Sequence, residues 1–68
     1  MKIKDTIKYL RRSLVLEQKE FADLLGIDKS SICNYEHGAR KPRLPIIRKM
    51  LELAKQHKIK ISPEDFLN

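Results

Sequence analysis

Only two glycines occur in this 68-residue chain, Gly26 and Gly38, and they stand twelve positions apart around the segment Ile27 to His37. Glycine reaches positive φ without a Cβ clash, so a chain that uses it so rarely is expected to place it where helices stop abruptly. One expected stop follows Gln18 to Leu25, and the other follows the bracketed segment, expected as a helix over about 29–37. Two short helices joined by a three-residue turn that begins with glycine form a compact supersecondary unit.

The rest of the chain also reads as helix. Ile3, Ile7, Leu10 and Leu14 recur at the 4-3-4 spacing of one helical face, which predicts helix 1 over about Lys4 to Ser13, with Lys4, Lys8, Arg11 and Arg12 on its polar side. Ile46, Ile47, Met50, Leu51 and Ala54 form the stripe of helix 4, opened by Pro45 at a first-turn position where its missing N–H is harmless. Three helix starts share an apolar pair five positions apart, Leu16 with Phe21, Ile27 with Ile32 and Ile61 with Phe66, the spacing of a hydrophobic staple. Asp28 and Ser62 are good N-caps and Glu17 a poorer one, while Pro63 marks the start of a fifth helix. The expectation is an all-α fold, a compact five-helix bundle forming one domain over 1–68.

Composition narrows what such a bundle does. One cysteine excludes a disulfide framework and suits a reducing cytosol, so the expected location is cytoplasmic. With only His37, His57 and Cys33 as soft ligands, neither a structural zinc nor any cofactor is expected. Met1-Lys2-Ile3-Lys4-Asp5 leads into no apolar run, so no signal peptide is read, and no stretch reaches the ~18 apolar residues of a membrane span. Glu17, Glu20 and Asp23 share one helix without a nucleophile and base to pair with, so an enzyme is not expected. The net charge of +6 is uneven: +4 over 1–16, −2 over 17–27, and +2 in each of 28–43 and 44–68. Positive flanks around the two-helix unit favour a polyanionic partner.

Within that unit, Phe21, Leu25, Ile27, Ile32 and Tyr35 are the apolar positions, Ala22 lets the next helix cross closely, and Gly26 turns the chain. Here the sequence resembles the Cro/repressor-type helix-turn-helix family, the lambda-repressor-like, xenobiotic-response-element class. Its motif is matched by Gln18, Ala22, Gly26 and Ile32, by Tyr35-Glu36-His37-Gly38 and by the loop Arg40-Lys41-Pro42, over roughly Ile7 to Leu53. Three features depart from the pattern: Glu17 replaces the usual Ser or Thr, the stretch from Ile46 to Lys60 is about one turn longer, and Cys33 is an unusual choice.

The resemblance implies a transcriptional regulator of the repressor type that binds double-stranded DNA by placing helix 3 in the major groove. Projection at ~100° per residue turns Ile32 and Tyr35 inward and leaves Ser30 and Asn34 nearly opposite, with Cys33 on the flank and Lys29 in the first turn. Lys29, Ser30, Cys33 and Asn34 are therefore the candidate base readers, although a lone cysteine more often fills space than senses redox state. Arg11, Gln18, Arg40, Lys41 and Arg43 are the candidate phosphate contacts, Gln18 through the start of helix 2 and by bracing the first turn of helix 3. A short recognition helix implies a homodimer, for which Ile59, Ile61, Phe66 and Leu67 near the chain end are the expected surface. The alternative is an antitoxin-type module that binds a protein partner and regulates itself through the same motif. A basic membrane helix over 44–58 is set aside, because its apolar stripe is better used as core.

Overall fold

The computed structural model describes residues 2–67. Four α-helices, α1 (Ile3–Ser13), α2 (Gln18–Leu25), α3 (Lys29–Glu36) and α4 (Leu44–Gln56), are followed by a single 3-10 turn at Pro63–Phe66. No strand occurs among the described residues, and no helix there is long and apolar enough to cross a membrane. The expected fifth helix is thus one tight turn. Asp65 Oδ2 accepts the Ser62 N–H at 3.0 Å, which closes the turn at its start.

The apolar spacing of each segment becomes its buried face. Ile3, Ile7 and Leu10 of α1 meet Phe21, Ala22 and Leu25 of α2, Ile32 of α3, Met50 and Ala54 of α4, and Phe66. Ala22 is the small residue at the crossing, and α3 packs chiefly on α2 and α1. The starts rely on main-chain geometry more than the side chains suggest. Asp28 precedes α3, but its carbonyl, not its carboxylate, accepts the Ser31 and Ile32 N–H groups at 3.1 and 3.3 Å. At α2 the weak cap is compensated by Glu20, whose Oε1 accepts the Glu17 N–H at 2.8 Å.

The chain end closes the core. The Thr6 hydroxyl lies 3.1 Å from both the Lys2 and the Asp65 carbonyls, tying the 3-10 turn to α1. This corrects the expected dimer surface. Phe66 is only 5% exposed, Ile59 and Ile61 are half-buried against the core, and Leu67 alone, at 77%, faces away from it.

All four α-helices stop the same way, and glycine serves only two of them. Gly26 (φ 71°) and Gly38 (φ 76°) end α2 and α3, whereas Val15 (φ 57°) and Lys58 (φ 55°) end α1 and α4. Each stop has the paired bonds of a Schellman motif: Ile27 N–H to Ala22 at 3.0 Å, Ala39 to Asn34 at 2.9 Å, Leu16 to Arg11 at 3.2 Å and Ile59 to Ala54 at 2.8 Å, each beside a shorter loop from the left-handed residue. In the left-handed region an L residue is disfavoured by roughly 1–2 kcal/mol, and a β-branched one more so. Val15 is 88% exposed, so no packing depends on its side chain. Val15→Gly should therefore stabilise the fold by about 0.5–1 kcal/mol after allowing for glycine's freer unfolded state, raising the thermal midpoint by several degrees. A midpoint that stays put or falls in a thermal melt would refute strain at Val15.

Candidate nucleic-acid interface

α3 is divided lengthwise. Ile32 is fully buried and Tyr35 half-buried on the inner side, while Lys29 and Ser30 are exposed in the first turn and Cys33 and Asn34 are half-buried beyond them. Helical spacing stacks Ser30 with Asn34 on the outward side with Cys33 on its flank, whereas Lys29 lies further round, exposed in the first turn. The motif core divides as its residues suggest: Phe21, Ala22, Leu25 and Ile32 are buried, Ile27 packs half-buried at the turn, and Gly26 is exposed at the stop. Lys49 of α4 leans over that stop and donates from Nζ to the Leu25 carbonyl at 3.1 Å. A cation at the carbonyl end of α2 complements its dipole as well as the orphan acceptor.

Glu36 is the residue that sequence reading leaves without a role. Its side chain is 2% exposed on the inner side of α3, four residues after Ile32. Arg11 of α1 meets it with two bonds, Nε to Oε2 at 2.6 Å and Nη2 to Oε1 at 3.0 Å, and sends Nη1 to the Leu16 carbonyl at 2.9 Å. Gln18 Nε2 adds a longer bond to Glu36 Oε1 at 3.3 Å. The hydrogen bond to Glu36 raises the Arg11 pKa above its ordinary value; desolvation opposes this and charge attraction reinforces it.

Two expected phosphate contacts are corrected by this cluster. The Arg11 guanidinium is turned inward and only 14% of its side chain is exposed, because a buried carboxylate requires a paired partner. Gln18 braces the last turn of α3 through Glu36, not the first turn, and its amide is directed there instead of to solvent. The residues themselves carry a signal for this cluster: Glu36 falls on the same helical face as Ile32, and Arg11 borders the stripe of Ile7 and Leu10.

The remaining three cations behave differently. Arg40 and Lys41 are exposed on the loop after α3, which is pinned by the buried ring of Pro42. Arg43 is exposed just before α4, and its carbonyl accepts the Ile46 and Ile47 N–H groups, both at 3.0 Å. Cys33 Sγ lies 3.5 Å from His37 Nδ1, which donates to the Cys33 carbonyl at 2.7 Å; the pair shapes the end of α3. The arrangement offers hydrogen-bond donors and acceptors on one convex helix face, with unpaired cations where the chain leaves it. That suits a grooved polyanion.

A family model described as Helix-turn-helix matches residues 7–55, most of the chain. No curated protein and no solved structure matches the chain.

The cluster makes an asymmetric prediction. Arg11→Met strands a buried carboxylate and should destabilise by about 3 kcal/mol. Glu36→Gln keeps an acceptor for a guanidinium that can turn toward water, and should cost about 1–2 kcal/mol. Denaturant melts of both variants check the order, and equal losses, or a larger one for Glu36→Gln, would contradict a carboxylate-centred cluster.

Proposed function

Because the chain belongs to the Cro/repressor-type helix-turn-helix family of DNA-binding proteins, we propose that it is a sequence-specific transcriptional repressor that acts in the cytoplasm. It lays α3 in the major groove of double-stranded DNA and occupies two-fold operators as a homodimer. The observation that supports this reading is the divided α3: Ile32 and Glu36 anchor its inner side, while Ser30 and Asn34 stack on the outward side and Lys29 stands exposed in the first turn.

Those three side chains have complementary chemistry for base edges. The Asn34 amide can both donate and accept, the pattern that adenine N6 and N7 present, and Lys29 can donate to guanine O6 and N7. Ser30 serves either type. Cys33, beside Lys29 on the helix, offers a weakly polar contact to the same groove. Arg40, Lys41 and Arg43 hold phosphates irrespective of sequence.

Size supports the dimer. The Cα envelope measures 25 × 23 × 19 Å, shorter in every direction than the ~34 Å that separates successive major-groove faces, so one copy reads one half-site.

Selection from a random-sequence duplex pool tests the proposal. The expected product is a palindrome with half-sites about one helical turn apart. Asn34→Ala should then relax preference at one base pair per half-site by about tenfold. Arg40→Ala should weaken selected and unselected DNA alike. A pool without enrichment, or unchanged preference in Asn34→Ala, refutes the assignment.

A further inference from the structure

We propose, building on the DNA-binding reading above, that the cleft between the start of α1 and the loop after α3 is a phosphate site, and that Lys2 and Lys4 extend the DNA-backbone contact through it. The cleft has a volume of about 360 Å³ and is lined by Lys2 and Lys4 at the start of α1, by Arg40 and Lys41 of the loop, and by Ile3 and Tyr35. No carboxylate lines it among the described residues, and none of its four cations takes part in an ion pair there. Like charges gathered around one concave space repel one another unless an anion joins them, and a concave cationic surface focuses its field outward.

Lys4 is held in place by one of the two glycines. A Cβ built on Gly38 would lie 3.3 Å from Lys4 Cδ, so the lysine stem rests against the bare α-carbon where α3 stops. The left-handed stop and the missing side chain thereby bring the first turn of α1 to the end of the recognition helix. α1 also starts after Lys2 with no side-chain cap, so its free amides and positive dipole end add to the field of the lysines.

The occupant is a phosphate of duplex DNA. Arg40 and Lys41 belong to the loop that leaves α3, and Tyr35 and His37 of the same cleft stand at the end of that helix, so the cleft adjoins the point where the proposed recognition helix stops. It is also open on one side. A backbone phosphate already fixed by the docked duplex can settle in such a recess, whereas a free ion would be only weakly enclosed.

The test measures binding to a random-sequence duplex against salt. The slope of log affinity on log salt falls by roughly 0.9 for each phosphate that the protein no longer neutralises, so Lys2→Gln with Lys4→Gln, which frees the one phosphate of the cleft, should lower it by about 0.9. Lys55→Gln with Lys58→Gln, which removes the same charge at the far end of α4, should leave the slope near its original value. Lys2→Arg with Lys4→Arg should retain the wild-type slope. An unchanged slope in the Lys2/Lys4 glutamine pair overturns the inference while leaving the DNA reading intact. If that pair keeps its slope but loses binding to inorganic pyrophosphate that the wild type shows, the cleft takes a free anion and the backbone assignment is wrong. A wild type that shows no salt-dependent DNA binding refutes the underlying reading itself.

Discussion

The buried Glu36 carboxylate is the constraint around which the small domain is arranged. Taking an ionised carboxylate out of water is tolerated only with close, charge-assisted partners, and a chain of 68 residues has little interior in which to hide them. Arg11 supplies two bonds from α1 and Gln18 a third from α2, so the last turn of α3 is referred to both neighbouring helices at once. The remaining guanidinium bond, to the Leu16 carbonyl, fastens the turn between α1 and α2. Since the Leu16 N–H returns to the Arg11 carbonyl, that turn is held by one residue from two directions. This is the physical reason that Val15 can persist in a left-handed conformation that its side chain disfavours.

The same economy governs how the helices end. Helices of eight residues bury little surface each, so the direction in which the chain leaves one decides whether the next can reach the core. Gly26 turns α2 into α3 so that Ile27 and Ile32 both reach apolar neighbours, and Lys49 then covers the exposed carbonyl. Left-handed geometry is required at all four stops, yet glycine is present only at two. A Cβ at Gly26 would meet Lys49 Nζ at an ordinary 3.7 Å, whereas at Gly38 it would press on Lys4. The requirement at Gly26 is thus conformational. At Gly38 it is also steric, and it concerns a lysine of the proposed interface.

Much of this is legible in the residues. Period-3.6 spacing locates α1 and α4, and the glycine turn with its apolar pairs locates α2 and α3, because those signals are local and each helix buries the face its own sequence marks. What escapes such reading is non-local or conformationally atypical. Arg11 and Glu36 are 25 residues apart, and only the packed fold reveals that two charges bordering apolar stripes face each other. Val15 and Lys58 carry no sign of positive φ, since neither residue type favours it. Phe66 and its neighbours look free in the sequence because they stand near the chain end, but the Thr6 hydroxyl ties that end back to α1. Lys2 and Lys4 read only as charge around helix 1, for no linear spacing joins them to the loop after α3.

Moving Arg11 inward and bringing Lys2 and Lys4 to the loop changes where charge can act. The exposed surface of α2 and its start carries Glu17, Glu20 and Asp23, of which Glu20 is engaged in capping and Asp23 meets Lys19 at 3.4 Å. With Arg11 and Gln18 committed to Glu36, neither adds a free donor there for the proposed DNA contact. At the end of α3, four unpaired cations gather around one cleft. On the proposed reading, attraction at a distance favours approach with the C-terminal end of α3 leading, beside these cations. On the same reading, contact then spreads along the helix to Asn34, Ser30 and Lys29, the proposed base readers. The buried ion pair bears on that reading twice, by tying the last turn of α3 to α1 and by withdrawing the Arg11 guanidinium from the surface.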